Sequence, residues 1–124
     1  MAARDSNREL VITYLRSMQV GPAGIDSIVD LYADDGVYVE HLSSAPGQVR
    51  THRGRDAIRK ALATGMQWNP PDLRVALDRI EIEGNELVAH WTCTSAQFPH
   101  PMSGTDRYQL RQGKIARLET KLDA

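Results

Sequence analysis

Leu31-Tyr32-Ala33-Asp34-Asp35-Gly36-Val37-Tyr38-Val39-Glu40-His41 is the stretch on which the reading of this chain turns. Upstream of it apolar residues recur at helical spacing, and downstream they mostly alternate with polar ones. The stretch reads as the end of a helix, closed at an Asp-Asp-Gly turn, and then a strand over Val37–His41 rich in β-branched and aromatic residues. It marks the change from helices to sheet. It also delivers a carboxylate and an imidazole side by side, near the mouth of whatever the two layers enclose.

Toward the N-terminus, Leu10, Val11, Tyr14, Leu15 and Met18 fall on one face of a helix expected from Ser6 to about Gln19. Ser6 with Glu9 three residues on has the form of a capping box. Gly21-Pro22-Ala23-Gly24 breaks that helix, and a shorter one opens near Asp26, carrying Ile25, Ile28, Val29 and Tyr32 inward and ending at Gly36.

Toward the C-terminus, residues Leu42 to Arg53, with Ser43-Ser44, Pro46 and Gly47, read as a loop. Arg55 to Thr64 reads as a third helix with Ala57, Ile58, Ala61 and Leu62 on one face and Gly65 after its end. Asn69-Pro70-Pro71-Asp72 cannot continue it. Strands follow over Leu73 to Glu83, Glu86 to about Gln97, Thr105 to Arg111 and Lys114 to Leu122, with turns at Gly84-Asn85 and Gln112-Gly113. Three N-terminal helices before a long meander make an α+β domain, its helices packed on one side of a strongly curved, mostly antiparallel sheet. Such a cone encloses a cavity suited to a small apolar ligand.

The 124 residues suffice for one hydrophobic core, so residues 1–124 are expected to form a single domain. No apolar run approaches the roughly 18 residues that cross a bilayer, and the first residues lack a secretory signal. No membrane association and a cytoplasmic location are expected. Fifteen basic against sixteen acidic residues, interspersed, provide no basic stripe for a nucleic acid. The one local excess, Arg50-Thr51-His52-Arg53-Gly54-Arg55, reads as a solvated loop, with an anion or substrate carboxylate as its alternative. Cys93 is the lone cysteine and reads as a small apolar strand residue rather than a nucleophile. With no His-x-His or helical histidine pair, no metal site is expected.

The order of these elements, Leu31-Tyr32-Ala33-Asp34-Asp35, Gly54-Arg55-Asp56-Ala57-Ile58 at the third helix, and Gly113-Lys114-Ile115 between the last strands together resemble the NTF2-like superfamily. Within it the chain is most similar to SnoaL-like and ketosteroid-isomerase-like proteins. The resemblance spans nearly the whole chain and implies a fold, not a single reaction, because isomerases, epoxide hydrolases, dehydratases, cyclases and noncatalytic proteins share it.

Carried over residue by residue from ketosteroid isomerase, the resemblance places an oxyanion-binding tyrosine at Tyr14, a carboxylate base at Glu40 and a protonated aspartic acid at Asp106. These types suit proton transfer beside a carbonyl: a base lifts a carbon-bound proton while donors hold the enolate oxygen, with no cofactor. Tyr38, Trp91, Phe98, Tyr108 and Leu118 would line the pocket, and apolar walls would raise the carboxyl pKa of Asp106. In regular pleating Tyr38 and Glu40 share one strand face and Val39 and His41 the other; the resemblance favours Tyr38 and Glu40 inward. His41 and His90 keep a dehydratase or cyclase site open, as in scytalone dehydratase. The Asp-Arg-Asp relay of limonene epoxide hydrolases is absent, since His90-Trp91-Thr92-Cys93 and Glu119-Thr120-Lys121 occupy its positions. A small hydrophobic molecule is the expected partner, and relatives' habits imply a homodimer.

Overall fold

In the computed structural model, which describes residues 2–41 and 48–123, three helices pack against one face of a six-stranded sheet. The elements are α1 (Ala2–Val20), a 3-10 turn (Pro22–Gly24), α2 (Ile25–Val29), β1 (Tyr32–His41), β2 (Val49–Arg53), α3 (Arg55–Met66), β3 (Arg74–Glu83), β4 (Glu86–Thr94), β5 (Met102–Arg111) and β6 (Lys114–Leu122). The strand order is β2-β1-β6-β5-β4-β3, antiparallel except where β1 lies parallel to β6. Register shifts in β1, β3 and β5 bend the sheet toward the helices. The core lies in that concavity, where Val11, Tyr14, Ile28, Tyr32, Ile58, Tyr108, Ile115 and Leu118 are almost wholly buried.

Several element boundaries depart from the sequence reading. The second helix stops at Val29, and Tyr32, expected in it, already starts β1. Tertiary bonds capture this segment: Ile115 N–H donates to the Leu31 carbonyl at 2.8 Å, and Arg55 donates twice to the Tyr32 carbonyl, at 3.1 and 2.6 Å. Ala33–Gly36 is instead a bulge, because Tyr32 pairs with Ile115 and Val37 with Arg117. Gly36 permits it: a Cβ there would lie 3.0 Å from the Ala33 carbonyl, the Ile115 carbonyl and the Tyr32 ring.

The first helix begins at Ala2, so Ser6 is inside it rather than at its cap. Its Ala-rich start continues the helix readily. Val49–Arg53 is a strand, not a loop, because it pairs antiparallel with Val37–His41; the expected loop at 42–47 lies outside the described residues. Buried Met66 extends α3 past Gly65. The fourth strand ends at Thr94 because Asp72 binds the Ser95 hydroxyl and the Ala96 N–H, and the fifth begins at Met102. The Gln112-Gly113 turn forms as expected, with both residues at positive φ, 52° and 79°. No helix among the described residues is long and apolar enough to span a membrane.

Candidate active site

Alternation along each strand decides which side chains face the helices. In β5 the inward set is Gly104, Asp106 and Tyr108; opposite them stand Trp91, Ala89 and Leu87 on β4 and Leu122, Thr120 and Leu118 on β6. In β1 it is Tyr38 and Glu40. The apolar stripe of α1 closes over them and supplies Tyr14, Leu15 and Met18. Between these layers is a cavity of about 140 Å³ lined by Tyr14, Tyr38, Val75, Trp91, Cys93, Asp106, Leu118 and Thr120, with Met18, exposed Asn69 and Leu73 among its other walls.

Among the described residues Asp106 is the one carboxylate on that wall, and it is only 4% exposed. Its Oδ1 accepts from Trp91 Nε1–H at 3.0 Å and from the Thr120 hydroxyl at 2.5 Å. Among the described residues its Oδ2 has only a long contact, from the Tyr108 hydroxyl at 3.4 Å. Burial raises the carboxyl pKa above its ordinary value, and the three hydrogen bonds, which favour the ion, oppose that without cancelling it. The two oxygens are thus unequal: Oδ1 holds two close donors, while Oδ2 meets only the distant Tyr108 hydroxyl among the described residues.

Trp91 reaches Asp106 because its strand neighbour has no side chain. A Cβ on Gly104 would sit 2.1 Å from the indole Cζ2, so glycine makes the slot in which the ring lies. The Tyr14 hydroxyl lies 2.8 Å from that of Tyr32, and the Tyr14 ring packs edge-on against Tyr32 and Tyr108. Burial holds Tyr14, Tyr32, Tyr38 and Tyr108 well above the usual tyrosine pKa, so all four hydroxyls stay neutral. The Cys93 thiol is pushed up to about 11, chiefly by burial and further by Asp106. It is a wall residue with almost no thiolate at neutral pH.

The residues singled out in sequence thus divide. Tyr14, Tyr38, Trp91, Asp106 and Leu118 meet at the cavity, with Tyr108 buried behind Tyr14. Glu40 shares Tyr38's strand face but lines the next hollow, a cleft of about 420 Å³ under α3, with His52, Arg50, Lys60 and Trp68. His41 and His90 are turned to the other face of the sheet, bonded to Glu119 and Glu81 at 2.7 and 2.5 Å. Each follows an inward residue by one position, and the pleat sends it outward. Phe98 is half-buried in the turn after β4 and is not in the cavity wall. His52, read from sequence as a loop residue, is brought to Glu40 by the β1–β2 pairing, 3.0 Å from Nε2 to Oε2. Of the basic cluster, Arg55 ties α3 to β1 through the Tyr32 carbonyl and Asp34, a structural duty. Among the described residues no group of His, Cys, Asp or Glu is arranged to hold a metal ion.

Residues 13–118 match the SnoaL-like domain family model. The chain belongs to the SnoaL-like family. Solved structures carry the same NTF2-like α+β cone. A protein of Sinorhizobium meliloti provisionally assigned as a polyketide cyclase superposes on this SnoaL-like domain with a TM-score of 0.72 at 20% identity, over 91% of this chain and 94% of that one. A provisionally assigned ketosteroid isomerase of Kribbella flavida gives 0.71 at 16% identity, over 97% and 79%. TerC, crystallised with polyporic acid, gives 0.74 at 20%, over 95% and 92%. At such identities the likeness is one of fold. No curated protein matches the SnoaL-like chain in sequence.

Proposed function

We propose that this SnoaL-like protein catalyses cofactor-independent proton transfer on a small, flat, hydrophobic carbonyl compound. The observation that carries the reading is Asp106: a buried carboxyl on an apolar wall, with one oxygen bonded by Trp91 and Thr120 and the other left to donate. A neutral Asp106 and the Tyr14 hydroxyl would hold the substrate oxygen as negative charge develops, a stabilisation that preorganised donors provide most effectively in a dry site. Glu40, which accepts from the Tyr38 hydroxyl at 3.3 Å, is the carboxylate in touch with the cavity wall and takes the role of base.

Volume narrows the substrate. A cavity of about 140 Å³ is the size of one six-membered ring, because an engineered cavity of roughly 150 Å³ holds benzene. A fused four-ring steroid cannot be enclosed, so the isomerase reading is for a single ring or for one end of a longer molecule. The outward turn of His41 and His90 takes away the residues that favoured a histidine-based dehydratase.

The test is conversion of cyclohex-3-en-1-one to its conjugated isomer, followed by ultraviolet absorbance. The wild type should accelerate it over buffer, Asp106→Asn and Glu40→Gln should each lose on the order of 10²-fold, and Tyr14→Phe less. Equal rates in protein and buffer would reduce the cavity to a binding pocket. The same reading includes a cytoplasmic homodimer joined through the outer sheet face; sedimentation equilibrium returning the monomer mass would contradict the dimer.

A further inference from the structure

The proposed acid and base line different hollows. Asp106 and Tyr14 face the inner cavity and Glu40 faces the cleft under α3, so a molecule that meets all three extends from one into the other. The hollows adjoin at two points. Tyr38 lines the cavity and donates to Glu40 on the wall of the cleft at 3.3 Å, and of the consecutive residues Trp68 and Asn69 the first lines the cleft and the second the cavity. A cavity of about 140 Å³ takes one ring, and the cleft of about 420 Å³ takes what is attached to it.

The cleft presents positive charge beside an apolar plate. Arg50 from β2 and Lys60 from α3 line it, and among the described residues neither is ion-paired. Arg50 stands across the strand pair from Glu40, but both Glu40 oxygens are engaged elsewhere: Oε1 accepts from the Tyr38 hydroxyl, and Oε2 accepts from His52 Nε2–H at 3.0 Å. The His52 ring stacks on Tyr38, centroids 5.7 Å apart, which holds it in that role. Two cations against one carboxylate leave a surplus of one positive charge before His52 is counted. Beside them Trp68, 82% exposed, offers the face of an indole with little else to cover it.

We propose that the substrate carries a carboxylate on a short apolar chain: its ring occupies the cavity, and its acid group is held in the cleft by Arg50 and Lys60, with the Trp68 indole lying along the chain. This deepens the proton-transfer reading, by naming the substrate class, and rests on it. Charge selects the class. A monoanion matches the surplus, and the planar guanidinium of Arg50 suits the two oxygens of a carboxylate. A dianion such as a phosphate monoester would bring its second charge against Glu40, and a neutral chain gains nothing from either cation.

The test is an NMR titration that follows the indole N–H resonances of the chain's two tryptophans, Trp68 in the cleft and Trp91 in the cavity, told apart with Trp68→Phe. The probes are 3-phenylpropionate, 4-phenylbutyrate and 6-phenylhexanoate, each beside the primary alcohol of the same length. At least one acid should shift both resonances and bind about tenfold more tightly than its alcohol, an advantage that shrinks as salt is raised. Arg50→Gln combined with Lys60→Gln should lower that acid to the affinity of its alcohol while leaving the alcohol's affinity and the Tm unchanged. Acids that bind no better than their alcohols, that shift only one of the two resonances, or that bind the double variant as they bind the wild type overturn the proposal, as does failure of every probe to bind. The catalytic reading fails separately. Turnover of cyclohex-3-en-1-one without a preference for the acids removes the carboxylate subsite alone, whereas the preference without turnover keeps the subsite and removes the catalysis.

Discussion

Asp106→Asn should make this protein more stable at neutral pH while weakening its chemistry. Asparagine keeps an oxygen for the Trp91 N–H and the Thr120 hydroxyl, and it places an amide where Oδ2 stands, 3.4 Å from the Tyr108 hydroxyl. What it removes is titration. Burial raises the folded-state pKa of Asp106 above the unfolded value of about 3.9. Between the two values the native protein holds a proton that the unfolded chain has released, so stability falls as pH rises. Below about pH 4 both states are protonated and the carboxyl has no effect. Above the folded pKa the whole cost is present, about 1.4 kcal/mol for each pH unit of the shift. Urea unfolding of both proteins from pH 4 to pH 8 isolates this, because every other carboxylate cancels in the difference. The stability of Asp106→Asn relative to wild type should climb with pH and then level off. A flat difference, or one that moves the other way, would mean that the three hydrogen bonds hold Asp106 as an ion and would refute the neutral-acid assignment. Asp106→Leu is the control: it leaves the Trp91 and Thr120 donors unpaired and should cost about 1–3 kcal/mol for each at every pH.

Gly104→Ala should displace the Trp91 indole, break its bond to Asp106 and destabilise the fold by about 1–3 kcal/mol, because the new Cβ would fall 2.1 Å from the ring. Trp91 emission should change against the constant signal of Trp68, which is 82% exposed; an unaltered spectrum and Tm would contradict the slot. Cys93, with its pKa near 11, should react with iodoacetamide at neutral pH on the order of 10²-fold more slowly than a free thiol, and labelling at the free-thiol rate would show that the wall is open. His41→Asn and His90→Asn should leave ketone isomerisation within twofold of wild type, since both rings lie on the outer sheet face; a tenfold loss in either would return them to the site.

How far the site was legible follows from which residues report on their own surroundings. Tyr14 lies on an unbroken apolar stripe, and Asp106 sits two residues from Tyr108 on a strand face that is otherwise uncharged, so each betrays its burial. Pleat parity set His41 on the face opposite Glu40, and the same alternation, not applied to β4 in the sequence reading, puts His90 on the face opposite Trp91. His52 could not be read. Its role depends on β2 pairing across residues 42–47 to bring it beside Glu40, a contact that no local pattern encodes. The Gly104 slot depends likewise on the register that sets Trp91 opposite Gly104. In the fold, the Asp34-Asp35-Gly36 signal marked a break in regular pairing, but bonds from Ile115 and Arg55 made it a bulge within β1 where the local pattern suggested a helix end.

The most direct measurement is the carboxyl carbon resonance of selectively ¹³C-labelled Asp106, followed against pH in the ligand-free protein. A neutral Asp106 should give a midpoint above the ordinary aspartate value of about 3.9, with the carboxyl still protonated where the exposed aspartates have ionised. A midpoint at or below that value would mean that a carboxylate ion faces the cavity, and the proposed acid would not exist.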